Sequence, residues 1–196
     1  MRRITRAEAP EFWVKGKRKY SNYDDLDREE GGRKLRGELR EHLVLTQKGI
    51  CAYCCRGIAQ DSSLNEHIKP RTQFPQLSLD YDNLVASCKE IDTCGSKKGH
   101  DYSELFVSPL DENCEEHFKY APDGSIIGIT EAGKYTCALL NLNAYELKNA
   151  RKSELKVCQS FHSKDYVKEY YLHDQATGNL HQFADVIEYF CRTEVF

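Results

Sequence analysis

The sequence predicts an α+β fold that is largely helical, because helical periodicity flanks a short middle region in which that periodicity fails. Before this region, Leu35, Leu39 and Leu43 recur every fourth residue and form one apolar stripe. Within it, short extended segments are expected at 64–69 and 84–88. Helical patterns then return towards the C-terminus. The fold class is therefore a small sheet core surrounded by N-terminal and C-terminal helices.

Each element follows from a local signal. A helix is predicted over residues 32–48, and Gly49 ends it. Pro70 and Pro75 predict a loop between the two extended segments, and a short helix is expected after Cys94. The later elements are a strand at 125–129, a helix at 144–158 with Asn143 as its N-cap, and helices at 163–172 and 182–192. Three leucines are predicted core residues: Leu142, Leu147 and Leu155.

Composition excludes several classes of protein. The chain has 196 residues, a length that suits one domain of ordinary size. Charged residues make up 30% and the mean hydropathy is −0.68, but 40% hydrophobic and 11% aromatic residues are enough for a packed core. No apolar run approaches the roughly 18 residues of a membrane helix, and no apolar signal core follows the first arginines. We therefore expect a soluble, cytoplasmic protein with no membrane partner.

The charge is unevenly distributed, although the net charge is only −3. It is +4 over residues 1–50, 0 over 51–100 and −7 over 101–196. Residues 1–22 form a basic arm with three interleaved aromatic residues: Phe12, Trp13 and Tyr20. Such an arm is typical of a segment that meets phosphates and stacks on bases. A solvated tail, or a docking strip for a partner protein, explains the same pattern equally well.

Cysteine usage is the strongest signal in the composition. Nine is an odd number, and clustered cysteines in a reducing compartment indicate a metal before disulfides. Cys51 and Cys54 form a CxxC motif, and Cys88 and Cys94 form a second pair. Two local pairs of thiolates are what a tetrahedral site needs, so a structural zinc is predicted. Cys55 is adjacent to Cys54 and could compete for the metal, although it points the other way if Cys54 binds. The other four are interpreted as core or incidental: Cys114, Cys137, Cys158 and Cys191.

Polar residues suited to catalysis lie between and just after the cysteine pairs. Glu66 and His67 are adjacent in an expected strand, Asn83 precedes the next strand, and the sequence KKGH occupies 97–100. A carboxylate suits Mg²⁺ or Mn²⁺, and a neighbouring histidine that stays free of metal can take a proton from water. This combination serves phosphodiester hydrolysis. A histidine after a glutamate means little alone, so the argument depends on the enclosing cysteines and on Asn83.

The order of these motifs resembles that of the HNH endonucleases of the zinc-stabilised, ββα-metal kind. The shared pattern is CxxC, acid-His-x-x-Pro, Asn-Leu, the second cysteine pair and Lys-Gly, all within residues 51–100. Further motifs are similar to the PtuB-type HNH subfamily: YDDL at 23–26, PQLSLDYDNL at 75–84, SPLDE at 108–112 and LNLN at 140–143. Members of that subfamily are nuclease subunits of Septu and retron-linked anti-phage systems, and they act beside a PtuA-type ATPase.

The resemblance implies a domain organisation and a set of partners. A zinc-stabilised ββα-metal core at 50–105 would lie within an HNH nuclease domain at 23–158, followed by a C-terminal helical extension at 159–196. The implied partners are the PtuA-type ATPase, a nucleic-acid substrate, and a retron reverse transcriptase with its RNA/DNA product. Affinity for nucleic acid comes mainly from cationic contacts with phosphates, and this chain is almost neutral. We therefore expect the ATPase to contribute to substrate binding.

The resemblance also implies a role for each site residue. His67 would be the general base, Glu66 the metal-binding acid, usually Asp in such enzymes, and Asn83 the residue that holds the loop and orients the base. His100 is the candidate metal ligand on the short helix, with Asp101 as the alternative. The four paired cysteines would bind zinc. Two departures matter. Many such modules carry a metal-binding asparagine directly after the fourth cysteine, where this chain has Gly95, and the stretch between Cys88 and Cys94 is longer than usual, which leaves the register onto the short helix open.

Four cations are candidates for contacts with phosphates: Lys69, Arg71, Lys97 and Lys98. For Lys97 and Lys98 the alternative is that they are simply exposed lysines on a helix. The leading prediction is a metal-dependent endonuclease that cuts DNA or RNA. A non-catalytic, zinc-stabilised binding module remains as the alternative, and it assigns no role to Glu66, His67 or Asn83. A cysteine-based redox protein is disfavoured by the second cysteine pair.

Overall fold

The described fold combines helices with two small antiparallel sheets, which confirms the α+β class. The structure is a computed structural model that describes residues 1–161 and 163–193. Its helices are α1 (Glu11–Gly16), α2 (Glu30–Thr46), α3 (Cys94–Lys98), α4 (Glu131–Leu139), α5 (Tyr145–Ser160), α6 (Lys164–Tyr166, continued by a π-helical turn at Val167–Tyr171) and α7 (Ala184–Arg192). Its strands are β1 (Ser63–His67), β2 (Leu84–Cys88), β3 (Phe118–Tyr120) and β4 (Ile126–Gly128).

Helix α2 is the predicted first helix, and it packs on the first sheet through its leucine stripe. Leu35, Leu39 and Leu43 are all buried, as the periodicity predicts. The helix begins and ends two residues earlier than expected, and Gly49 follows its end with a left-handed φ of 74°. A short 3-10 helix at Tyr23–Asp27 precedes it and was not predicted. The apolar stripe thus packs α2 against the sheet of β1 and β2, which contains Glu66 and His67.

Strands β1 and β2 form the first sheet, and the short helix α3 follows β2. The strands are antiparallel, with Ser63 opposite Cys88 and His67 opposite Leu84. Every residue of β2 is buried, because α2 and α3 both pack against that strand. Both strands and the short helix after Cys94 agree with the predicted elements, although β1 ends two residues before position 69.

The second sheet and the later helices form the other part of the core. Strand β4 falls within the predicted strand at 125–129, while its partner β3 was not predicted. The N-cap prediction for Asn143 is wrong: Ala144 precedes α5, and the Asn143 side chain instead pairs with both backbone groups of Ile126, at 2.9 Å each. Leu142, Leu147 and Leu155 are buried as predicted.

The N-terminal segment packs into the fold, so its interpretation as a solvated tail is wrong. Trp13 is fully buried and cannot stack on bases, while Met1 is buried with its ammonium group 3.0 Å from Asp185 on α7. Arg6 donates to the carbonyl oxygens of Tyr81 and Leu84, at 2.5 and 2.7 Å. These contacts connect the N-terminus to the loop before β2 and to the last helix.

The predicted C-terminal helices are present in modified form. The prediction at 163–172 corresponds to α6 and the π-helical turn after it, and the prediction at 182–192 corresponds to α7. Residues 162 and 194–196 of the proposed extension lie outside the described residues, and the domain boundaries at 22 and 158 remain predictions. Across the described ranges, none of the helices has the length and apolar character needed to cross a bilayer.

Candidate active site

Four buried cysteines converge at one point, where they could hold a metal ion. The sulfur atoms of Cys51, Cys54, Cys88 and Cys94 all lie within 4.8 Å of one another. The Cys51–Cys94 and Cys54–Cys88 separations are both 3.9 Å. A tetrahedral site with Zn–S bonds of about 2.3 Å requires sulfur atoms roughly 3.8 Å apart, so these distances fit such a site. The other cysteines lie outside the cluster.

Local backbone contacts bring the two cysteine pairs together. Cys51 and Cys54 lie on the turn after α2, whereas Cys88 ends β2 and Cys94 begins α3. The side chain of Gln47 binds both backbone groups of Ala86 on β2, at 2.7 and 2.9 Å. The backbone N–H of Cys88 then donates to the sulfur of Cys51 at 3.3 Å. Gln47 therefore aligns the CxxC turn with the strand that carries the third cysteine.

His67 is the last residue of β1, and one contact defines its tautomer. Its Nε2 atom lies 2.9 Å from the carbonyl oxygen of Ser78, which can only accept a hydrogen bond. Nε2 therefore carries the proton, and Nδ1 of the neutral ring keeps a lone pair that accepts no hydrogen bond from the described residues. The ring packs edge-on against Tyr23, with centroids 4.7 Å apart. Burial lowers the pKa of His67 to about 4, so the ring is neutral at pH 7.

Glu66 lies beside His67, and its carboxylate faces α3. Its Oε1 accepts a hydrogen bond from the ammonium group of Lys98 at 2.9 Å, while Oε2 forms no hydrogen bond within the described residues. Burial raises the pKa of Glu66, and the charges of Lys98 and His100 counteract that shift. The carboxylate is thus a partly buried group with one free oxygen.

Lys98 differs from both interpretations offered by the sequence. Its side chain is only 1% exposed, and its ammonium group also donates to the carbonyl oxygen of His67 at 2.8 Å. It is therefore neither an exposed lysine nor a surface contact for phosphate. The spacing KKG does not reveal this, because α3 turns its last residue inwards onto Glu66.

Asn83 connects the two ends of the loop that precedes β2. Its Oδ1 accepts from the N–H of Lys69 at 2.7 Å, and its Nδ2 donates to the carbonyl oxygens of Lys69 and Leu77 at 2.9 and 3.2 Å. Ser78, the partner of His67, follows Leu77 directly. Asn83 therefore stabilises the loop segment that contains Ser78, whose carbonyl oxygen orients the His67 ring.

The remaining predicted site residues surround this group. His100 and Asp101 are exposed just after α3, and the charge of His100 acts on Glu66. Lys97 is exposed, whereas Lys69 is half-buried with its ammonium group 5.4 Å from the ring of Phe74. Arg71 pairs with Asp24 and lies over the ring of Tyr23 at 5.5 Å. Each of these roles remains a prediction.

Sequence reasoning missed three residues that organise the site: Tyr23, Gln47 and Ser78. Tyr23 lies in the YDDL motif, to which no contact was assigned. Lys98 was a candidate phosphate contact, and its pairing with Glu66 was not predicted. Ser78 contributes only a backbone carbonyl, for which the residue type carries no signal. Gln47 could not be distinguished from any polar residue at a helix end.

Comparison with known proteins agrees with the resemblance to PtuB-type HNH endonucleases. The chain is 35% identical over 95 residues to a protein of Vibrio cholerae serotype O1 biovar El Tor named "Retron Vc95 putative HNH endonuclease", an alignment that covers 45% of each protein. It is 32% identical over 108 residues to Septu protein PtuB of Bacillus thuringiensis, across 52% of this chain and 39% of that protein. The chain thus spans less than half the length of these curated relatives. No protein-family model matches it.

Proposed function

We propose that the chain is a metal-dependent endonuclease of the HNH type, which hydrolyses phosphodiester bonds in DNA or RNA. The observation that carries the proposal is the pairing of a neutral histidine with a free Nδ1 and an adjacent carboxylate with a free oxygen, on a strand next to a four-cysteine cluster. The similarity to two proteins named as an HNH endonuclease and as PtuB supports it.

The four-cysteine cluster is proposed to hold a structural zinc. Its sulfur separations suit tetrahedral coordination, and the cluster joins the turn after α2 to β2 and α3. On this proposal, β1, β2 and α3 are the ββα-metal core. The ion would stabilise a region in which both strands and the helix are only five residues long.

A catalytic divalent cation, Mg²⁺ or Mn²⁺, is proposed to bind at Glu66, with His100 as the second ligand and Asp101 as the alternative. The free carboxylate oxygen of Glu66 suits such a hard cation. When bound, the cation would supply stabilisation of the negative charge that develops on the phosphate and the leaving oxygen.

His67 is proposed to act as the general base. Its Nδ1 would take a proton from the attacking water, while Nε2 keeps the ring oriented through Ser78. Asn83 would act as a positioning residue, because it fastens the loop that contains Ser78. Lys69, Arg71 and Lys97 would contact phosphates on either side of the scissile bond.

The chain is further proposed to be the effector subunit of an anti-phage complex with a PtuA-type ATPase. The net charge of −7 over residues 101–196 favours a protein partner over nucleic acid for that part of the surface. A retron reverse transcriptase with its RNA/DNA product is a further proposed partner. Co-purification with the ATPase that resists salt would support the assembly, and an unchanged free chain in its presence would count against it.

The proposed activity is tested by incubating the purified chain with supercoiled plasmid DNA and total RNA in Mg²⁺, Mn²⁺ or EDTA. Cleavage that requires the cation, and acts on one of the two substrates, is expected. If the chain alone is inactive, the assay is repeated with the ATPase. Inactivity in both assays would favour the non-catalytic binding module.

A further inference from the structure

The carboxylate of Glu66 is confined between two residues of α3. Lys98 holds Oε1 at 2.9 Å from one side. On the other side, Oε2 approaches Gly95 so closely that a Cβ atom built on this glycine would lie 2.7 Å from Oε2 and 2.9 Å from the carboxylate carbon. Such distances are too short for a carbon in van der Waals contact, so a side chain at position 95 and this Glu66 conformation exclude one another.

The backbone at position 95 does not itself require glycine. Gly95 lies inside α3, and its φ is not in the left-handed range, unlike the φ of 54° at Gly99. Glycine is also a poor helix former. The N–H of Gly95 donates to the hydroxyl of Ser87 at 3.2 Å, which connects this part of α3 to β2. The need for glycine therefore comes mainly from the space that Glu66 occupies, since the added Cβ would lie 2.7 Å from its Oε2 but 3.2 Å from the hydroxyl of Ser87.

Lys98 opposes a rotation of the Glu66 carboxylate away from a side chain added at position 95. Its buried ammonium group is held in turn by the carbonyl oxygen of His67 at 2.8 Å. A rotation of Glu66 would break its contact with Lys98 and leave the buried ammonium group without its carboxylate, which is costly. An added carbon at position 95 must therefore displace the carboxylate from its observed position.

We propose that Gly95 is a positioning residue that admits a glutamate at position 66 and sets the direction of its free oxygen, Oε2. This inference rests on the proposed role of Glu66 as a ligand of the divalent cation. The length of the acid at 66 and the size of the residue at 95 are then coupled: an aspartate at 66 would leave room for a side chain at 95, whereas glutamate requires glycine.

The test is Mn²⁺ binding to the zinc-loaded chain, measured by electron paramagnetic resonance and isothermal titration calorimetry, together with zinc content and thermal unfolding. Gly95→Ala is expected to weaken Mn²⁺ binding by about 10- to 100-fold, the usual effect of misorienting a metal ligand. Zinc content is expected to stay unchanged, whereas Tm is expected to fall, because the displaced carboxylate leaves the buried ammonium group of Lys98 without its partner. The matched control is Gly37→Ala, at a helical glycine of α2 whose added Cβ would come no closer than 3.9 Å to the side chain of Gln60.

The double variant Glu66→Asp/Gly95→Ala supplies the decisive comparison. It is expected to bind Mn²⁺ more tightly than Gly95→Ala, because the shorter acid no longer collides with the added carbon. Should Gly95→Ala lose its fold, recovery of folding in the double variant would support the collision, and continued loss would overturn it.

Two results separate the failure of this inference from that of the proposed function. Wild-type affinity in Gly95→Ala would overturn the inference and leave the nuclease proposal standing. If the wild-type chain and Glu66→Gln bind Mn²⁺ equally well, the metal role of Glu66 fails, and the inference fails with it.

Discussion

The Nε2 atom of His67 lies 2.9 Å from the carbonyl oxygen of Ser78, and this contact determines which ring nitrogen is available for chemistry. A carbonyl cannot donate, so the imidazole donates from Nε2 and presents Nδ1 as the acceptor. Because Ser78 lies in the loop between β1 and β2, the orientation of the base depends on how that loop is held. The geometry of the loop is therefore as important to the site as the strand that carries His67.

The first prediction concerns Asn83, whose side chain stabilises this loop through three hydrogen bonds. Asn83→Asp retains one acceptor but cannot donate to the carbonyl oxygens of Lys69 and Leu77. We expect it to lower the free energy of unfolding by about 2–3 kcal/mol, because two partly buried carbonyl groups lose their donor and a charge is placed at the buried position 83. Urea denaturation measures the change. The exposed Asn113→Asp is the control, and equal losses in both variants would contradict the account.

The cysteine cluster leads to a prediction about metal content. We expect one zinc per chain by elemental analysis, and Cys88→Ser should lose it together with the cooperative unfolding transition, since a structural zinc stabilises the fold around it. Cys191→Ser, a half-buried cysteine outside the cluster, should retain both. A chain that purifies without metal and still unfolds cooperatively at the same temperature would show that the cluster is only a group of buried thiols.

The ion pair between the Met1 ammonium group and Asp185 predicts how stability depends on pH. Burial lowers the pKa of the ammonium group, but Asp185 more than compensates and raises it above 8.0. Burial likewise opposes the charge of Asp185, but the ammonium group and Tyr120 hold the pKa of this carboxyl below 3.8. The contribution of the amine is therefore present below pH 8 and is lost as the pH rises through its folded pKa. The contribution of Asp185 is present above pH 3.8 and is lost as the pH falls.

The contribution of this pair should accordingly be greatest between about pH 4 and 8, and Asp185→Asn should remove about 3–5 kcal/mol there by leaving the buried ammonium group unpaired. Urea unfolding from about pH 2 to 10 measures both effects. The exposed Asp165→Asn should keep the wild-type profile. The expected signature is a stability difference between Asp185→Asn and the wild type that is full between pH 3.8 and 8, and that narrows as the pH falls below 3.8 or rises through the folded pKa of the amine, whereas equal stability at pH 7 would contradict the prediction.

Sequence patterns predicted the elements whose signals are local. The leucine stripe of α2 and the extended segment predicted at 84–88 depend on residues close in sequence, and both elements were found near their predicted bounds. Asn143 shows where local signals mislead, because an asparagine before a helix usually caps it, whereas here Ile126 on β4 competes for the same side chain. The burial of Met1 could not be predicted, since it depends on Asp185 of α7 at the other end of the chain.

At the candidate site, residue types were more predictable than their contacts. The four cysteines were identified from spacing alone, and the cluster places all four together. The buried pairing of Lys98 with Glu66 could not be read from the sequence, because an exposed lysine and an inward-facing one differ only in the rotation of a helix of five residues. Gly95 was noticed as a departure from the family pattern, and its relation to Glu66 emerges only from the distance between them.

The most direct test of the central proposal is the single-turnover rate of nucleic-acid cleavage by wild type, His67→Ala and the control His173→Ala. It uses zinc-loaded protein with Mg²⁺, and the ATPase if activity requires it. Loss of a general base is expected to slow cleavage by about 10²- to 10⁴-fold in His67→Ala, with zinc content and fold unchanged, while His173→Ala cuts at the wild-type rate. Equal rates in all three proteins would contradict the assignment of His67 as the base and, with it, the proposed active site.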